Sequence, residues 1–308
     1  SARAVQRALT ANALSTGRAS EWTRNTVNAW GLLERFDDDP DAALAELRGI
    51  VVDGRGGAPE LFALAELSFL RADDRGDRRH YLAAVAYAYA FLFPKPPVTP
   101  PAPLDPRTRI AADLYNRALT QAFASPDRRT VELRAGTYPL PFGEVEVWTD
   151  PRYFYWGDRR LIGFVPTAEL QVRGLRNRYR LPGIGAPLVA ATEPLQGVSV
   201  DESFLPKRAK VAATAVLRLY DVDHGIATGH LHATLELYTA TDRESVAIEN
   251  RTVPLEVEET AALAYSLAQA SFWDRELKGF FGRAETGGPI LATTEPYRPG
   301  RIPVVFVH

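Results

Sequence analysis

The sequence contains no cysteine, which removes disulfides, thiolate nucleophiles and cysteine metal sites from consideration. Any chemistry must come from oxygen and nitrogen groups. There is no excess of either charge. With 36 basic against 38 acidic residues the formal net charge is -2, and there is no long basic run, so the chain carries no electrostatic footprint for nucleic acid. No apolar run approaches the roughly 20 residues that span a bilayer. The longest apolar stretch, Tyr81 to Phe93, is rich in Ala and Tyr and has the length of a buried core helix. An initiator methionine and a signal peptide are also missing. The chain opens at Ser1-Ala2-Arg3 inside a pattern that reads as helix, as expected of a processed or trimmed chain.

What is present is enough for a sizeable core. A length of 308 residues with 46% hydrophobic composition suggests two structural units rather than one. Residues 1 to about 125 read as helices. Ser20 caps one carrying Trp22, Trp30 and Leu33, and Asp39-Pro40 has the cap-then-proline signature of another. That second helix repeats Ala43, Leu44, Leu47, Ile50 and Val51 at the 3.6-residue period of a half-buried face. Leu61, Leu64, Leu67 and Leu70, a polar turn at residues 73–77, and the Tyr81–Phe93 run predict a helical hairpin. It resembles a single tetratricopeptide-like pair, too few for a solenoid. Seven of the thirteen residues from Pro94 to Pro106 are proline, a stiff strap inside the helical unit. Asp105-Pro106 then restarts a helix through Ile110, Leu114, Ala118 and Ala122.

After Pro126 the pattern changes to short β-branched and aromatic runs bounded by Gly, Pro and Asp. Strands are predicted over 130–133, 145–148, 161–165, 209–220, 230–238, 245–249 and 252–257, with a tight hairpin at Asn250-Arg251. Residues 170–194 read as irregular and 221–229 as a polar hairpin loop. A long helix over 259–281 is followed by strands at 289–293 and 302–307. A helix followed by an unbroken apolar strand is the pattern of a parallel sheet buried on both faces.

Several constellations bear on function. Arg173, Arg176, Arg178 and Arg180 precede Pro182-Gly183-Ile184-Gly185. They would meet a phosphate or carboxylate or, on the structural reading, pair with local acids. Arg176 and Arg178 are retained as ligand-lining candidates. So are Tyr155 and Trp156, within an aromatic run after Asp150-Pro151, Tyr153 to Trp156, of a kind that is more often core. His230-Leu231-His232 puts two imidazoles on one face of a strand, near Asp221, Asp223 and His224. The spacing is a common one, and no metal is assigned. Asp37-Asp38-Asp39-Pro40-Asp41 reads as a helix cap. The nearest approach to a nucleophile elbow, Gly197-Val198-Ser199-Val200-Asp201, lacks the second glycine and reads as a loop.

The run Ile302-Pro303-Val304-Val305-Phe306-Val307-His308 resembles the strand that enters the His-Gly oxyanion loop of lipase- and esterase-type α/β-hydrolases. Further segments carry a narrower likeness: Glu60 to Phe69, Tyr81 to Phe93, Asp113 to Leu119, Gly174 to Tyr179 and Pro296 to Arg301. Together these are similar to the long N-terminal region of bacterial envelope esterase/lipase-like proteins, often predicted lipoproteins. That resemblance implies an α/β (mixed) fold in three parts. They are a helical accessory unit over 1–125 with its proline strap at 94–106, an irregular β-rich linker or cap over 126–208, and the first strands and helix of a hydrolase-like domain over 209–308.

It also implies ester hydrolysis through an acyl-serine intermediate, with His308 beginning the oxyanion loop. No catalytic triad residue is assigned within this chain, so the chain is expected to be incomplete at its C-terminus and inactive alone. Its expected partners are the remaining hydrolase segment, an envelope protein and an ester or lipid substrate, with no cofactor. The expected location is the periplasmic side of the envelope, anchored as a lipoprotein. The competing expectation is a non-catalytic scaffold or interaction subunit that keeps a hydrolase-like sheet.

Overall fold

A computed structural model of the chain describes residues 11–169, 180–195 and 209–262. The helical part comprises α1 (Ala13–Thr16), α2 (Glu21–Ala29), α3 (Leu33–Asp38), α4 (Pro40–Val52), α5 (Ala58–Arg75), α6 (Arg78–Leu92) and α7 (Pro106–Ala122). Local chemistry sets their ends. Ser20 Oγ accepts from the Thr23 amide, Asp39 from Ala42, Asp77 from Arg79 and Asp105 from Arg107, each satisfying an orphan donor of a first turn. Gly76 ends α5 in the left-handed conformation (φ 65°), where a side chain would be strained. The Asp73–Asp77 stretch, read as a turn, is therefore mostly the last turn of α5.

Helix α6 is the centre of the helical layer. Every residue from His80 to Leu92 is buried, the condition of a helix covered on all sides. Its alanines let α5 and α7 approach closely, and aromatic edges fill the gaps between them. Phe62 meets Phe91 and Phe69 meets Tyr81 at centroid distances of 5.5 and 5.6 Å, within the favourable range for ring pairs.

The helices cover one face of a seven-stranded sheet made of β1 (Gly136–Leu140), β2 (Gly143–Trp148), β3 (Tyr155–Trp156), β4 (Arg159–Pro166), β6 (Ala186–Pro194), β7 (Lys210–Tyr220) and β8 (His230–Thr239), in the order β1-β2-β8-β7-β6-β4-β3. Tyr115 of α7 docks on it, its hydroxyl donating to the Leu217 carbonyl and accepting from the Leu217 amide, both at 2.8 Å. All pairings are antiparallel except β2 with β8. A helix of about two turns, α8 (Val222–Thr228), joins β7 to β8. Small two-stranded pairs form between β9 (Ser245–Ile248) and β10 (Arg251–Pro254), and between β5 (Arg180–Leu181) and β11 (Val257–Glu258). The β9-β10 turn is the predicted hairpin, with Glu249 and Asn250 at φ 45° and 60°, as a type I′ turn requires.

The structure differs from the sequence-based expectation in five places. Residues 186–194 form β6, an interior strand, where an irregular segment is expected; Pro187 and the alanines disguise it. Residues 136–140 form the edge strand β1, where Pro139 costs no interior ladder bond. The predicted strand at 130–133 reduces to bridges at Val131. Residues 221–229 are helical rather than a hairpin loop. The expected boundary near 208 does not divide the sheet, since β6 and β7 pair across it. The fold is therefore mixed α/β. The expected strands at 289–293 and 302–307, and most of the helix over 259–281, lie outside the described residues.

Candidate functional site

A buried polar cluster lies where β5 and β11 meet the middle of α7. Glu256 is completely buried, immediately before β11. Its Oε1 accepts from Arg180 Nε at 2.5 Å, and Arg180 Nη2 is paired to the same oxygen. Oε2 accepts from Asn116 Nδ2 and from the Gly183 amide, each at 3.2 Å. Arg109 Nη2 stands 3.9 Å from Oε2. Asn116 completes the frame, donating to the Gly183 carbonyl at 3.0 Å and accepting from the Gly185 amide at 2.6 Å. Asp113, one turn earlier on α7, binds Arg109 at 2.8 Å.

Glycine is needed at both loop positions. A Cβ on Gly183 would lie 2.3 Å from the Leu255 carbonyl carbon, and one on Gly185 (φ 106°) 2.5 Å from Thr214 Cγ2. The loop backbone thus makes its close approach to the protein's own carboxylate and amide. Burial pushes the Glu256 carboxyl above its ordinary range, against the Arg180 guanidinium, which pulls it down. Every donor facing it is an N–H, so the ionised form is the one this cage holds. With both oxygens engaged, Glu256 is a clamp rather than an available base.

The cluster borders a cavity of about 640 Å³ whose lining includes Phe69, Asp73, Thr120, Arg180 and Glu258. A second cavity of about 730 Å³ lies between α2, α3 and α5. Its apolar floor includes Val27, Leu33, Phe36 and Leu67, and oppositely charged groups, Arg18 and Arg24 against Glu21 and Asp37, share its rim.

Of the sequence-derived candidates, Arg176, Arg178 and His308 lie outside the described residues. Arg180, from the same basic run, pairs with Glu256, which is the structural alternative raised for that run. Trp156 is 2% exposed with Nε1 donating to Thr241 Oγ1 at 3.1 Å, whereas Tyr155 is 42% exposed. Tyr153 and Phe154 pack on Tyr238 and Phe164. The run is thus mainly core, with Tyr155 at the surface.

His230 and His232 do share one face of β8. Among the described residues no three His, Asp or Glu side chains converge as a metal site. No serine–histidine–carboxylate chain is seen among those residues either. Ser20 Oγ is held by Glu66 at 2.7 Å and Ser125 Oγ by Asp127 at 2.6 Å, while His80 Nε2 faces Asp41 at 3.3 Å. Sequence reasoning missed Glu256 and Asn116. The one available signal was a charged residue inside an apolar strand pattern, Leu255-Glu256-Val257.

No family model, no curated protein and no solved structure matches this chain.

Proposed function

We propose that this chain is the N-terminal accessory portion of an envelope-associated serine esterase or lipase of the α/β-hydrolase type, inactive on its own. The observation that carries the reading is the apolar run Ile302 to Val307 ending in His308, with its likeness to the strand entering an oxyanion loop. The described geometry supports the accessory role. Ser20 and Ser125 are committed to capping and turn contacts, Glu256 is caged, and the helical layer packs on one face of the sheet. In the reaction proposed, a serine outside this chain attacks the ester carbonyl and a histidine acts first as base and then as acid. Backbone N–H groups of the loop beginning at His308 hold the oxyanion. The site would be periplasmic, with the protein anchored as a lipoprotein.

One observation favours a second reading. The described sheet has a single parallel pairing, β2 with β8, whereas a hydrolase sheet of that type is mainly parallel. A non-catalytic scaffold in an envelope assembly needs no parallel sheet to present a nucleophile and an oxyanion loop, although the hydrolase-like sheet expected of it is not what these strands form.

A fluorophosphonate serine probe on the native assembly separates the two. Labelling of the assembly, with none on this chain by itself, is the result expected for the esterase. A fully assembled complex that stays unlabelled supports the scaffold. Recovery of the protein only in the cytosolic fraction would overturn the envelope location under either reading.

A further inference from the structure

The outer face of the β2-β8 pair carries a ladder of four side chains that neither reading uses. The two strands are parallel and in register, with Glu144 opposite His230 and Glu146 opposite His232. All four are substantially exposed: side-chain exposures are 53% and 46% for the glutamates and 69% and 62% for the histidines. The intervening Val145 and Leu231 point into the core. Adjacent strands stand about 4.8 Å apart, and residues two apart along a strand are separated by roughly 7 Å. The four groups therefore mark the corners of a small rectangle on solvent.

Within it, each carboxylate addresses the same atom of its imidazole. Glu144 Oε1 lies 3.5 Å from His230 Nδ1, and Glu146 Oε2 lies 3.4 Å from His232 Nδ1. A carboxylate beside Nδ1 favours the tautomer protonated there and leaves the Nε2 lone pair free. No described group engages Nε2 of either ring. Metal-binding histidines present this arrangement, with one nitrogen held by an outer carboxylate and the other turned to the ion. Tyr220, opposite His232 on β7, is not a competitor, because its hydroxyl is bonded to Thr234 Oγ1 at 3.1 Å.

We propose that His230 and His232 form a surface di-imidazole site for a divalent transition metal of the imidazole-preferring class, Cu²⁺, Ni²⁺ or Zn²⁺, with Glu144 and Glu146 as positioning residues. The protein supplies two ligands and water or a docked partner supplies the rest, so the site stands without a third converging side chain. The order of affinity follows the ligand chemistry, with Cu²⁺ tightest. Trp148, 61% exposed and on the same face two residues beyond Glu146, provides an optical report, since bound Cu²⁺ quenches a nearby indole.

The test is titration of the full, untagged chain with Cu²⁺ alone and with Ni²⁺ alone, followed by calorimetry, Trp fluorescence and electron paramagnetic resonance. One saturable ion per chain is expected, with two nitrogen ligands in the Cu²⁺ spectrum. His230→Gln and His232→Gln should each weaken binding at least tenfold, Glu144→Gln or Glu146→Gln up to roughly tenfold, and His224→Gln should change nothing. All four ladder side chains are exposed, so circular dichroism and the unfolding midpoint should stay at wild-type values. Absence of saturable binding, or binding undiminished in the His230→Gln/His232→Gln double variant, overturns the proposal. Neither outcome bears on serine-probe labelling.

Discussion

Arg218 of β7 and Glu236 of β8 face each other diagonally across the central antiparallel pair as a two-pronged ion pair, Nε to Oε1 at 2.7 Å and Nη2 to Oε2 at 2.9 Å. Tyr238 donates to the same carboxylate at 2.9 Å, and Arg218 Nη1 reaches the Ala247 carbonyl of β9 at 2.6 Å. The guanidinium thus ties the small β9-β10 hairpin to the main sheet. Glu236 is 4% exposed, so removing only its partner strands a charge out of water. Arg218→Met should destabilise the protein by about 3 kcal/mol, whereas Arg218→Met with Glu236→Leu should recover most of that. Urea unfolding midpoints of the two variants provide the check. Equal losses would mean that the pair is not the tie described.

A second buried carboxylate organises the helical layer. Glu66 of α5, fully buried, accepts from the Ala13 amide at 2.9 Å and from the Ser20 amide and hydroxyl at 3.0 and 2.7 Å. It closes the first two helices onto the bundle. Glu66→Ala leaves three donors facing apolar surroundings and should cost about 3 kcal/mol. Hydrogen exchange at Ala13 and Ser20 should accelerate far more than exchange in α6. Uniform acceleration throughout would contradict a local clasp.

His80 gives the helical layer a pH dependence. Burial pushes its pKa below the ordinary value, and the Arg71 and Arg79 guanidiniums act in the same direction. Asp41 and Asp77 oppose them. A folded-state pKa below the unfolded one means that the neutral ring is favoured in the native protein. Its stabilisation is complete above the unfolded value of about 6.5 and is lost as pH falls from there through the folded value. Stability measured by urea unfolding should therefore decline as pH falls below about 6.5, and His80→Gln should flatten that decline. An unchanged slope in the variant would assign the effect elsewhere. Asp41, lowered by its bond to Arg71, contributes only further into acid.

The Glu256 cage makes a prediction with a built-in rescue. Asn116→Asp keeps the acceptor for the Gly185 amide but places a second carboxylate at the 3.2 Å contact with Glu256. The loss should be about 3 kcal/mol at neutral pH and should shrink on acidification to a pH at which one of the two acids takes a proton. Thermal unfolding at the two pH values tests it, and equal losses at both would rule out charge repulsion as the cause.

The parts of this fold legible from sequence are those set by neighbours in the chain. Ser20, Asp39-Pro40 and Asp105-Pro106 announce helix starts because a cap needs only the next three residues. Asn250 announces its hairpin because the turn tolerates positive φ there. Alternation along His230 to Tyr238 gives both the strand and the common face of its two histidines. Distant partners leave no such trace. β6 carries Pro187 and several alanines and becomes a strand because β4 and β7 lie on either side of it. Glu256 reads as a surface charge until Arg180 and Asn116 are brought to it. The ladder is half legible: His230 and His232 can be paired from spacing alone, but Glu144 and Glu146 join them only through the parallel register.

That one parallel pairing also sets an order of events. The Thr149 hydroxyl bonds to the Leu235 carbonyl 86 residues further on, and no short turn can join parallel neighbours. The β1-β2 hairpin can close by itself early, but its seat exists only after β8 has paired with β7. Contacts of such sequence separation are slow to form because a long loop must be closed first. During synthesis the helical layer would emerge and pack while this hairpin waits, its β2 edge open, for a strand not yet made. The docking of β2 on β8 is also the step that assembles the glutamate–histidine ladder.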